Sequence, residues 1–169
     1  AVTISTACCT ANNYAPSIIS VPNLTLSQGW AVNQNVVVTT TLTWVGDIVV
    51  APNVSITIAP TGAIVTGSAT YPGTKPPYPI VYGMHVHSCG DMWSGFVVQN
   101  GGKIKLREFD LIEDAKIAIL SDGNTNLNTI GTNYDLDLFE TSFNRNGTAI
   151  AIKNYTQTNT CLLYTSDAA

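Results

Sequence analysis

The sharpest chemical feature of the chain is the run His85-Val-His87-Ser-Cys89-Gly-Asp91. Side chains of an extended segment alternate between two sides, so positions 85, 87, 89 and 91 share one face. Two imidazoles, a thiol and a carboxylate would then converge, a donor set that zinc accepts tetrahedrally. His85, His87 and Cys89 are therefore the candidate metal ligands. The competing account places both histidines in an exposed insertion and treats Cys89 as a small buried apolar residue, a common fate of free cysteine. On that account no metal or other cofactor is needed.

A second feature is the basic stripe Lys103, Lys105 and Arg107, which alternates with Ile104 and Leu106. Period-two alternation turns the cations outward and the aliphatic residues inward. Glu108, Asp110, Glu113 and Asp114 follow closely. Such a face could hold a uronate polymer, with Lys and Arg on the sugar carboxylates and the acids on calcium. A solvated face whose opposite charges pair with one another is the simpler account. Tyr71, Tyr78 and Tyr82, with Trp93, surround a proline-rich stretch. Aromatics on a projecting loop can stack on sugar rings, or can pack the loop onto the body beneath. A glycosidase needs two carboxylates across a cleft, and Glu108 and Glu140 fall at equivalent positions of successive repeats, where they could stack and repel; an exposed corner explains them more simply. Thr39-Thr-Thr41 finds no matching ladder later in the chain, which excludes an ice-binding threonine surface.

The elements that must position these residues are set by composition. The chain has 169 residues, 45% of them hydrophobic and only 11% charged, with a formal charge of −4. A length of this order suits one domain. The scarcity of charge excludes long surface helices and coiled coils, which draw on Glu, Lys and Arg, while Val, Ile and Thr favour strands. The apolar content excludes a disordered chain. The acidic balance excludes a nucleic-acid partner, which needs a basic footprint. No apolar run approaches the roughly 18 residues of a transmembrane segment.

Laying the chain on itself reveals a repeat. An offset of 48 brings Val49-Val50 and Ile56-Thr-Ile58 onto Val97-Val98 and Ile104-Lys-Leu106, with Ile64 on Ile112. Trp44-Val-Gly46 similarly meets Trp93-Ser-Gly95. An offset of 32 brings Ile104-Lys-Leu106 onto Leu136-Asp-Leu138 and Leu111 onto Phe143; one further residue brings Ile117-Ala-Ile119 onto Ile150-Ala-Ile152. Corners of Gly, Pro and Asn separate the pieces: Ala51-Pro-Asn53, Ala59-Pro-Thr-Gly62, Asn100-Gly-Gly102 and Asn144-Arg-Asn-Gly147. Those residues accept the φ values that sharp bends demand. Strand and corner in alternation describe an all-β chain that coils and stacks on itself, a single-stranded right-handed parallel β-helix or solenoid. Ile56, Ile58, Ile104, Leu106, Leu136, Leu138, Ile150 and Ile152 are expected to stack inward. Residues 1–35 read as a lead-in or cap segment. Residues 36–160 read as rungs, with insertions at 67–92 and 121–134. At most one helical turn is allowed, around 112–118.

The stretches Thr43–Val65, Cys89–Val98, Gly101–Leu106 and Ile112–Ile119 resemble the rungs of secreted right-handed parallel β-helix proteins of the Bacteroidetes type. The resemblance spans residues 36–155 and implies export or cell-surface display, a C-terminal sorting domain, and an adhesion-like or carbohydrate-binding role. Its distant relatives cleave acidic polysaccharides, but their Asn-Thr-Asp, Asp-Asp, Gly-His-Gly and Arg-Ile-Lys signatures do not occur here. Residues 161–169 resemble translated sequencing adapter, so the chain reads as a truncated fragment. The expectation is a secreted or cell-surface scaffold touching polysaccharide or surface glycan through Tyr71, Tyr78, Tyr82, Lys103, Lys105 and Arg107, with no catalytic constellation in view. The alternatives are a polysaccharide lyase or glycoside hydrolase, and a metal-binding module at His85, His87 and Cys89.

Overall fold

Short runs of alternating apolar and polar residues, cut by Gly, Pro and Asn, can bury one face only as strands. A computed structural model describes residues 11–27, 29–66, 83–107, 110–126, 135–138 and 141–156 of the chain. Among them every regular element is a strand. The chain passes through β1 (Asn13–Tyr14), β2 (Ile18–Ile19) and β3 (Leu24–Leu26), then β4 (Trp30–Val32), β5 (Val36–Val38) and β6 (Thr41–Trp44). A third turn comprises β7 (Gly46–Val50), β8 (Ser55–Ile58) and β9 (Ala63–Thr66); a fourth comprises β10 (Met84–Ser88), β11 (Gly95–Gln99) and β12 (Lys103–Leu106). The last strands are β13 (Leu111–Glu113), β14 (Ile117–Asn126), β15 (Leu136–Leu138), β16 (Ser142–Asn144) and β17 (Thr148–Thr156).

These strands form three sheets in which sequence order rises by threes. The first is β1-β4-β7-β10-β13-β16, the second β2-β5-β8-β11-β14-β17 and the third β3-β6-β9-β12-β15. Neighbouring strands are parallel, as in β7–β10, β8–β11 and β9–β12. Three columns of side chains fill the interior: Ile48–Val86–Ile112–Phe143, Ile56–Phe96–Ile119–Ile150, and Leu42–Ile64–Ile104–Leu136. Trp44 and Trp93 meet Phe96 edge-on, with ring centroids 5.7 and 5.1 Å apart. Each aliphatic side chain so enclosed contributes about 1.5–3 kcal/mol of burial.

The corner between the first and second sheets recurs as a left-handed residue, at Asn53 (φ 63°), Asp114 (φ 58°) and Arg145 (φ 53°). Asn146 ties the last such corner to the turn before it: its Oδ1 accepts from the Ala115 N–H at 2.8 Å, and its Nδ2 donates to the Ile112 carbonyl at 2.9 Å. At Gly95 the backbone of the next turn passes so close that a Cβ would overlap the Ile117 carbonyl, so only glycine fits.

Two sequence expectations are corrected by the register. Ile56 pairs with Phe96 and Ile64 with Ile104, an offset of 40 rather than 48. The 48-residue overlay slips by one strand and its corner, because neighbouring strands of one turn look alike and only their hydrogen-bond partners differ. Ile104 does pair with Leu136, but Ile119, rather than Ile117, pairs with Ile150. No helical turn forms at 112–118, where β13 and the start of β14 pair with their neighbours instead. Residues 13–32 carry four strands of these sheets. β10 lies within the stretch read as an insertion, because Met84, Val86 and Ser88 bury their alternate face.

Candidate functional site

The pairing of β7 with β10 sets Asp47 directly beside His85 on the outer face of the first sheet. His87 follows two residues on and faces the same way. The two imidazoles stack, with centroids 4.7 Å apart and an interplanar angle of 25°. Asp47 Oδ1 lies 2.9 Å from His85 Nδ1 and 3.2 Å from His87 Nε2. From the other side, Glu113 Oε2 lies 2.9 Å from His85 Nε2. Glu113 is itself held by Asn144, which donates to its Oε1 at 2.6 Å, and by Arg145 at 3.5 Å. Burial pushes the Glu113 carboxyl up; the hydrogen bonds from His85 and Asn144 and the charge of Arg145 outweigh this and hold it below the ordinary range. Two imidazoles between two carboxylates can carry a proton or hold a cation.

Cys89 stands apart from this cluster. It is disulfide-bonded, so its sulfur offers no thiolate to a metal. In its place the structure brings Asp47, and His85, His87 and Asp47 are the His/Cys/Asp/Glu group whose donor atoms gather among the described residues. Asp47 was missed because two further strands and three connections separate it from His85 in the chain. Its one sequence signal is a lone acid at an outward position of the apolar run Asp47-Ile-Val-Val.

The basic stripe lies on a different face. Lys103 pairs with Ala63, and Lys105 stands between Val65 and Asp137 on the third sheet. Arg107, past the end of β12, donates to Asp137 at 2.8 Å. That bond raises the guanidinium and lowers the carboxyl from their ordinary values. The acids that follow in sequence are dispersed rather than ranged along the cations. Asp110 is fully buried and accepts from the backbone N–H groups of Met84 at 2.7 Å and Arg107 at 2.6 Å. Asp114 pairs with Arg145 at 2.8 Å, and Glu113 belongs to the histidine cluster. Trp93 is core, its indole N–H donating to the Glu113 carbonyl at 2.8 Å. Tyr71, Tyr78, Tyr82, Glu108 and Glu140 lie outside the described residues. Among the described residues no helix is long and apolar enough to cross a membrane. Comparison of the chain with protein-family models, curated proteins and solved structures finds no match.

Proposed function

We propose that the chain is a right-handed, single-stranded parallel β-helix that serves as a secreted or cell-surface scaffold and contacts acidic glycan along its third sheet. The fold reading is supported by strand order: each sheet takes every third strand, so the chain returns to its starting edge one layer further on. Parallel crossover connections are right-handed in nearly all cases, which favours that hand. The role reading rests on one observation, the outer face of the third sheet. There Thr25, Thr43, Val65, Lys105 and Asp137 follow one another in register, and Lys103 stands beside Ala63 and, beyond it, Thr41.

Such a face repeats at the roughly 4.8 Å spacing of paired strands and presents short side chains before a pair of lysines. An extended uronate chain could lie across it, its carboxylates near Lys103 and Lys105, while Arg107 is engaged by Asp137. Affinity electrophoresis in gels containing polygalacturonate or a neutral glucan tests the role. Retardation by the acidic polymer alone, abolished in a Lys103→Ala/Lys105→Ala variant that melts like the parent, is expected. Equal migration in both gels ends the glycan reading. Appearance of unsaturated uronate absorbance would turn it into that of a lyase.

A further inference from the structure

We propose that Asp47, His85 and His87 form a binding site for one divalent transition-metal ion on the outer face of the first sheet. The site lies on another face from the glycan surface proposed above and does not depend on it. His85 Nε2 faces the Glu113 carboxylate at 2.9 Å, and His87 Nδ1 faces the Ser88 carbonyl at 3.1 Å. Both partners are acceptors, so each can take the single N–H of a neutral ring, the tautomer that a bound cation would select. His85 Nδ1 and His87 Nε2 are then left as lone-pair donors, and both point toward Asp47 Oδ1. That oxygen is shielded from solvent and accepts no hydrogen bond among the described residues. In that tautomer three electron-pair donors converge, an arrangement that a cation at their common centre would satisfy.

The spacing matches that of a coordination shell. An ion with bonds of about 2.0–2.1 Å sets its ligand atoms about 2.9 Å apart in octahedral and about 3.3 Å apart in tetrahedral geometry. The two observed edges from Asp47 Oδ1 are 2.9 and 3.2 Å, and all three atoms lie within 4.8 Å of one another. The contacts behind the ligands fit the same role. A ligating histidine usually donates its other N–H to a carboxylate or a backbone carbonyl, which fixes ring and tautomer. Here Glu113 and the Ser88 carbonyl take those places, and Asn144 and Arg145 fix Glu113. All three ligands sit on paired strands, so little reorganisation accompanies binding. The side chains of His85 and His87 are 24% and 26% exposed and that of Asp47 46%, which leaves the remaining coordination positions open to water or a ligand. Two imidazoles and a carboxylate suit zinc and its neighbours better than calcium or magnesium.

The test uses the whole chain, with any reduced thiol alkylated so that cysteine cannot compete, freed of metal by chelation and dialysis. Calorimetric titration with Zn²⁺ at neutral pH is expected to give one ion per chain. Affinity should fall at least about tenfold in His87→Ala and in Asp47→Asn, both half-exposed positions whose circular dichroism should match the parent. Co²⁺ used in place of Zn²⁺ should give visible absorption bands that change in Glu113→Gln, a readout that loss of a merely structural contact would not move. Absence of saturable binding overturns the proposal, as does unchanged affinity in both His87→Ala and Asp47→Asn. Either result would assign the cluster to a protonated imidazole bridging two carboxylates.

Discussion

Asp110 closes the corner between the third and first sheets, where its two oxygens accept the backbone N–H groups of Met84 and Arg107. Burial raises this carboxyl above the ordinary value against the pull of those N–H groups and of the Thr66 hydroxyl. The folded chain therefore binds a proton there more tightly than the unfolded chain. Stability from this difference is present in full below the ordinary carboxylate value and is lost as pH rises through the raised one. Asp137 has the opposite sign: held low by Arg107, it contributes above the ordinary value and loses that contribution as pH falls through the lowered one. Asp110→Asn would turn an amide N–H₂ toward one of two backbone donors and should cost about 1–3 kcal/mol. Thermal melts across the acid range should show the Asp110→Asn curve without the decline on the rising limb, and the Asp137→Asn curve flatter at its acid end. Coincident curves for parent and variants would remove both assignments. The sequence showed Asp110 only as one acid among four beside a basic stripe, because the backbone donors that surround it come from a corner it cannot announce.

At the scale of the element, alternation is a reliable guide to which side chain points inward. Ile56, Ile58, Ile104 and Leu106 are fully buried, as their period-two pattern requires. Leu136 and Leu138 pack on the same core but are only half-buried, as are Ile150 and Ile152, because these strands lie toward the last-described end of the stack. Ile104→Asp would place an unpaired charge in the Leu42–Ile64–Ile104–Leu136 column and should abolish the cooperative melt. Thr57→Asp, outward on β8, should melt within a few degrees of the parent. A parent-like melt for Ile104→Asp would refute the register. Gly95→Ala adds a single methyl, yet it should destabilise severely, since that methyl would overlap the Ile117 carbonyl. Which strand lies beside which was harder to read. β8, β9, β11 and β12 each supply four or five alternating residues after a Gly, Pro or Asn corner. A sequence overlay therefore matches a strand to the next strand along almost as well as to its partner one turn away.

Across the described residues each strand pairs with the strands three before and three after it, so stability should be graded along the three sheets. Hydrogen exchange is expected to be slowest in β8 and β11, whose inward residues are fully buried, and faster in β16 and in residues 148–153 of β17, which are intermediate or exposed. Uniform protection from β5 to β17 would mean a single cooperative unit instead. The sequence by itself determined the all-β character, the inward residues and the corners, because each of those follows from local chemistry: period-two alternation, scarce charge, and the φ preferences of Gly, Pro and Asn. The tertiary structure alone decided the pairing offset and, with it, the chemistry of the outer face. Asp47 meets His85, and Glu113 backs it, only because hydrogen bonding between turns places residues far apart in the chain a few ångströms from one another. The same pairing sets Asp137 beside Arg107. A local pattern carries the direction in which a side chain points; its neighbour across the sheet depends on how many residues each corner consumes, and the unequal insertions of this chain conceal that number.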